Sequence, residues 1–160
     1  MIYSRSTQYA IRAMAFLAAG APGEYVRARD IARSTGVPLP FLLKITRALG
    51  RRGLLRAVRG PGGGIRLARA PRAIVLEDIV VAVEGQDTGD GCALGLPHCN
   101  EIEPCPVHDA WKKLRGEIRR LLHERTLEEL ARSLAKQKTR RSRSRARSKS
   151  RRRPRARVAA

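Results

Sequence analysis

The chain has 160 residues and a formal net charge of +20, from 34 Lys and Arg against 14 Asp and Glu. That length holds one modest core with an appended element, not two domains of ordinary size. No run approaches the roughly eighteen apolar residues of a membrane span, and Arg5 and Arg12 interrupt any signal-peptide pattern at the start. Thirteen of the cations lie in residues 136–160 with no acid among them, which leaves +7 for residues 1–135. The body is thus moderately basic, and the tail is a polycation that draws nucleic acid by counterion release without reading its sequence. Three cysteines, an odd number confined to Cys92 through Cys105, do not make a disulfide framework. They point to metal or redox chemistry in the reducing cytoplasm.

In chain order, residues 6–19 set Ala10, Met14, Leu17 and Ala18 on one stripe with Tyr9, Ala13 and Phe16 beside it, the pattern of a buried first helix. A second helix covers residues 28–34, and after Thr35-Gly36-Val37 a third runs from about Pro38 to Arg52, closed by Gly53. Pro38 and Pro40 mark its start, because the first helical turn has N–H groups with no intrahelical partner. Residues 54–58 and 65–68 alternate in polarity around the glycine-rich Arg59–Gly64 and read as a hairpin. Residues 74–84 form a short helix ended by Gly85. Residues 86–106 carry glycine, proline and cysteine without period, a loop that needs an organiser.

From Val107, the apolar positions Val107, Trp111, Leu114, Ile118 and Leu121 alternate in steps of four and three, the seam of a helix that packs along another. Dimerisation through this helix is expected. Thr126 and Glu129 have capping-box spacing and open a terminal helix through Leu134. The Arg- and Ser-rich residues beyond 135 have the composition of a disordered tail. The predicted organisation is a DNA-binding unit over 1–85, a cysteine loop over 86–106, the dimerisation and terminal helices over 107–134, and the tail over 135–160. The predicted fold class is mainly α with a small β-hairpin wing, a winged helix-turn-helix plus a long dimerisation helix.

A helix fits the major groove of DNA, and the second helix of a helix-turn-helix presents side chains to base edges. Here that helix carries Lys44, Thr46, Arg47, Arg51 and Arg52 on its polar side, with Phe41, Leu42, Ile45 and Leu49 turned to the core. The candidate DNA contacts are Pro38, Pro40, Phe41, Lys44, Arg47 and Arg51 on the helix and Arg59, Gly60, Gly62 and Gly63 at the hairpin tip. Arg59 is the candidate for minor-groove insertion, since a narrow minor groove attracts arginine. No nucleophile–base pair, carboxylate pair or strand-to-helix phosphate loop is present, so an enzyme is not expected.

Cys92-x6-Cys99-x5-Cys105 offers three soft thiolates, which suit an iron-sulfur cluster or zinc and suit magnesium or calcium poorly. Structural zinc usually includes a cysteine pair two to four residues apart, absent here, which leans toward a cluster without deciding it. His108 lies one helical turn after Cys105 and is the candidate fourth ligand. His98 is a candidate to tune the site from outside it, and His123 reads as a surface residue.

Arg59-Gly-Pro-Gly-Gly-Gly64 followed by this cysteine loop resembles the winged-helix family that includes the regulators IscR and NsrR. Other matching stretches are Ser6–Ala13, Ile31-Ala32, Leu49–Leu54 and Leu76–Gly85, and the likeness runs from about Met1 to Leu134. The resemblance implies a homodimeric transcription regulator, a repressor or dual regulator of double-stranded DNA operators. It also implies control by an iron-sulfur cluster on Cys92, Cys99 and Cys105, of the 2Fe-2S type in preference to 4Fe-4S. Such a cluster senses cluster supply, iron, redox state or nitric oxide. In cluster-biogenesis members a histidine at the place of His108 completes the ligand set; other members use an acidic residue at the place of Gln8, a neutral amide here. Leu43 stands where members often carry Glu, Pro40 where a small polar residue is common, and the basic tail has no counterpart. The competing readings are a zinc- or thiol-switch regulator on the same fold and an architectural protein that coats DNA through its tail.

Overall fold

The computed structural model describes residues 3–85, 92–96 and 100–137. Helix α1 (Arg5–Ala18) opens at Ser4, whose Oγ accepts the Thr7 N–H at 3.3 Å. Its Ala10, Ala13, Met14 and Leu17 are buried, as the periodicity predicts. Helices α2 (Ala28–Thr35) and α3 (Leu39–Arg51) follow, joined through Gly36 in the left-handed region at φ 68°. That conformation turns the chain sharply enough for Val37 to be buried directly after it.

On α3 the buried stripe is Leu42, Ile45, Thr46 and Leu49. Two residues depart from the sequence expectation. Phe41 is 49% exposed, its ring edge-on to Tyr9 with centroids 5.9 Å apart, because it sits about a quarter-turn off the stripe. Thr46 leaves the polar face: it is buried, and its hydroxyl donates to the Leu42 carbonyl at 2.8 Å, which satisfies it within the helix.

The wing consists of β1 (Leu55–Val58) and β2 (Gly64–Leu67), antiparallel with Leu55 opposite Leu67 and Val58 opposite Gly64. On the far side of β2, Val26 pairs with Ile65 through reciprocal backbone hydrogen bonds of 3.0 and 2.8 Å. A Cβ on Gly64 would lie 2.6 Å from the Val26 carbonyl oxygen, so this approach requires glycine.

Helix α4 (Leu76–Glu84) follows a 3-10 turn at Pro71–Ala73, and α5 (His108–Glu124) packs on α4. At the far end of α5 the chain returns to the body: Leu76 N–H donates to Arg125 O at 2.9 Å and Leu127 N–H to Ile74 O at 2.8 Å. The last helix, α6 (residues 127–137), opens with the expected capping box, Glu129 Oε2 accepting the Thr126 N–H and Thr126 Oγ1 accepting the Glu129 N–H. It runs three residues beyond the predicted end, and Leu127 is fully buried in the same core as Met14, Ile74 and Ile79. The expected disorder of the tail falls on residues 138–160, outside the described residues. Among the described residues no helix is long and apolar enough to cross a membrane.

Glu84 at the end of α4 ties it to the start of α1, with Oε1 accepting the Ser4 N–H at 2.8 Å and the Thr7 hydroxyl at 2.6 Å. Burial opposes its charge, but the hydrogen bonds from Thr7 and Ser4 outweigh burial and hold the carboxyl below the ordinary carboxylate range. A lowered folded pKa contributes stability that is present above the unfolded value and lost as pH falls through the folded one. Acid titration of stability should therefore be shallower in Glu84→Gln than in the native chain; identical profiles would contradict the role assigned to this carboxylate. Leu127→Ala should cost about 2–5 kcal/mol in denaturant unfolding, the range for a core leucine, if α6 is integral to the body. A loss within a few tenths of a kcal/mol would mean that α6 is an appendage.

Candidate nucleic-acid interface and cysteine loop

The outward stripe of α3 presents Pro40, Leu43, Lys44, Arg47 and Arg51, all exposed. Between this stripe and the wing runs an open groove of about 560 Å3. Arg47 of α3 and Arg59, Gly60 and Gly63 of the wing share it, so four of the candidate DNA contacts are brought together across two elements. Pro38, Pro40, Phe41, Lys44, Arg51 and Gly62 lie outside its lining; the first five are exposed along or at the start of α3, and Gly62 at the tip. Gly63 has a structural reason of its own: a Cβ there would meet Val58 O at 2.4 Å, so the hairpin closes only with glycine.

The groove also holds residues that were not among the candidate contacts, Arg27, Leu43 and Val58 among them. Arg27 precedes α2 and has no motif around it; it reaches the groove because Val26 is hydrogen-bonded to the wing. Leu43 and Val58 are 45% and 51% exposed, apolar side chains in a groove that also holds Arg27, Arg47 and Arg59. Next to Val26, Tyr25 carries the Arg66 guanidinium over its ring at 5.0 Å, a cation–π contact that fixes the outer side of β2.

In the cysteine loop, Cys92 and Cys105 are half-buried thiols, while Cys99 and His98 lie outside the described residues. Leu94 N–H points at Cys92 Sγ at 3.4 Å, and Gly95 N–H donates to Cys92 O at 3.0 Å. His108, the first residue of α5, donates its N–H to Cys105 O at 2.9 Å, and its side chain is only 5% exposed. Its Nε2 lies 3.7 Å from Glu101 Oε1. Glu101 also pairs with Lys112, and that hydrogen bond and charge hold its carboxyl below the ordinary range. The segment before α5 is thus laced to the helix's first turns.

Gln8 directs its side-chain amide back to Tyr3 O at 3.3 Å, within the start of α1. His123 is a surface residue, as its place in the helix predicts, with Nδ1 2.9 Å from Glu77 Oε2, which ties α5 to α4. Among the described residues no three His, Cys, Asp or Glu side chains gather closely enough to hold one metal ion. The donor types do fit an iron-sulfur cluster: two half-buried thiols, and one buried imidazole a helical turn from the second of them.

The Rrf2 family, described as an iron-dependent transcriptional regulator, matches residues 3–133. An HTH-type transcriptional regulator assignment belongs to an Aquifex aeolicus protein 35% identical over 133 residues, 81% of this chain and 91% of the relative. IscR of Erwinia tasmaniensis is 33% identical over 123 residues, 77% of this chain and 74% of that protein. Among solved structures, CymR, the global cysteine regulator of B. subtilis, superposes with a TM-score of 0.67 at 25% identity, over 81% of this chain and 95% of that one. T. potens IscR gives 0.64 at 27% identity, over 81% and 86% of the two chains.

Arg47→Ala and Arg59→Ala, measured separately on a duplex selected by the native chain, should each lose about 1–3 kcal/mol of binding if they touch bases, and relax selectivity at different positions. A uniform loss on all sequences would reassign them to phosphate.

Proposed function

Because the chain belongs to the Rrf2 family of transcriptional regulators, we propose that it is a homodimeric repressor of double-stranded DNA operators, acting in the cytoplasm and controlled by an iron-sulfur cluster. That it is a DNA-binding regulator and not an enzyme follows from the family. The observation that carries the operator reading is the single groove in which Arg47 of the recognition helix and Arg59 of the wing meet. One arginine on a helix face is a solvated charge; two from different elements around a groove are a surface shaped for a duplex.

The dimer is supported by α5. Leu114 and Leu121 are 52% and 57% exposed, Val107 is exposed, and Trp111 and Ile118 are half-buried along the same seam. A row of apolar side chains left facing water on a 17-residue helix is the form of a surface that a second copy covers. Two wings held by such a dimer meet half-sites about one helical turn, roughly 34 Å, apart.

Cys92, Cys99, Cys105 and His108 are the residues that would hold the cluster. When bound, it would supply thiolate-ligated iron that responds to redox state, nitric oxide, iron or cluster supply. What this chain's own residues contribute is the linkage. Leu76 and Ile74, bonded to Arg125 and Leu127, anchor the far end of α5 to the body, whereas Cys105 holds its first residue, His108, and Glu101 pairs with Lys112 in its second turn. A change in how the 92–105 segment is held therefore acts on one end of the dimer helix, and a small rotation there alters the spacing of the two wings. The tail, with its excess of cations, adds affinity for any duplex and no selectivity.

Anaerobic purification of the full-length chain, followed by an absorbance spectrum and iron and sulfide assays, is the decisive measurement. A coloured protein with about two irons per chain supports a 2Fe-2S cluster, and about four supports 4Fe-4S. A colourless protein with stoichiometric zinc, or with neither metal, overturns the cluster reading in favour of a zinc or thiol switch. Cys92→Ser and Cys105→Ser should lose the iron, His108→Ala should lose or destabilise it, and His123→Ala should keep it.

A further inference from the structure

We infer that Leu43 reads the methyl group of a thymine in the major groove, so that each operator half-site carries a thymine opposite the first turns of α3. The inference rests on the operator reading above and deepens it to a specificity-determining contact. Leu43 is 45% exposed, although the core-facing stripe of the same helix, Leu42, Ile45 and Leu49, is almost completely buried. Folding therefore gains little from a leucine at this place. It lines the groove with Arg47 one turn further along and Arg59 opposite, and Lys44 is its neighbour in sequence.

The setting restricts what can cover this side chain. Three exposed cations around one leucine match a polyanion with a small apolar feature and do not match an apolar protein face. Duplex DNA has one such feature in the major groove. The edges of adenine, guanine and cytosine present nitrogen and oxygen donors and acceptors, and thymine alone adds a C5-methyl group. Residues near the start of a recognition helix are the ones that approach base edges, and Leu43 is the fifth residue of α3. The apolar Val58, 51% exposed on the opposite wall, belongs to the wing. A wing lying along the backbone and minor groove meets no thymine methyl, because that group projects into the major groove only.

The test starts from a duplex selected out of a random pool by the full-length protein, with each thymine then replaced singly by uracil, which lacks only the methyl. At one position in each half-site, uracil should weaken binding of the native chain about fourfold, the equivalent of roughly 0.8 kcal/mol for one buried methyl. Leu43→Ala should bind the thymine and uracil duplexes equally, Leu43→Met should keep the preference, and Val58→Ala should keep it whatever affinity it loses. An unchanged thermal midpoint in Leu43→Ala shows that the fold is intact. The inference is overturned if no selected thymine shows a uracil penalty, or if the penalty is the same in the native chain and in Leu43→Ala. Selection of no sequence at all would overturn sequence-selective binding itself, and the inference with it.

Discussion

Two backbone hydrogen bonds between Val26 and Ile65 carry more of this structure than their number implies. A two-stranded hairpin of four-residue strands is marginal alone in water, and β1 and β2 are that hairpin. Pairing with Val26 gives β2 a neighbour on its second edge, buries Ile65, and joins the wing to the segment leading into α2. The consequence is geometric. Arg27 and Arg59 come to the same groove as Arg47, and a flexible glycine-rich loop becomes one wall of a defined surface. Gly64 is the condition for it, since any side chain there would collide with Val26.

Helix α5 has a divided role. Its end is stitched to the body through Arg125 and Leu127, where the chain re-enters the core. Its beginning is stitched instead to the 100–105 segment through His108 and Lys112. Between these attachments the seam of Leu114, Ile118 and Leu121 faces away from the hydrophobic core. Helix α5 is thus tied to the body at one end and to the cysteine-bearing segment at the other. The imidazole of His108 is buried at that second junction.

The charge of the molecule separates in the same manner. Most of the excess lies in the tail, and part of the smaller excess in the body lines the groove. Arg47 and Arg59 flank a groove that also holds Leu43 and Val58, so the surface combines attraction to phosphate with apolar points that phosphate does not satisfy.

Much of the architecture was legible from local pattern. The buried stripes of α1 and α3, the proline-marked start of α3, the glycine turn at Gly36, the hairpin and the Thr126 capping box all stand where periodicity and turn chemistry put them, because each depends on residues within a few positions of one another. Arg47 and Arg59 could be singled out as candidates for the same reason, though not their shared groove. Other features were decided only by the folded chain. Phe41 lies outside the core beside Tyr9, Thr46 lies inside it, Arg27 joins the groove, α6 enters the body's core, and His108 is buried. Periodicity states which side of an element is apolar, but not which distant element that side meets. A single-residue bridge such as Val26 to Ile65 leaves no period at all, so the position of the wing, and with it the groove, belongs to the tertiary structure.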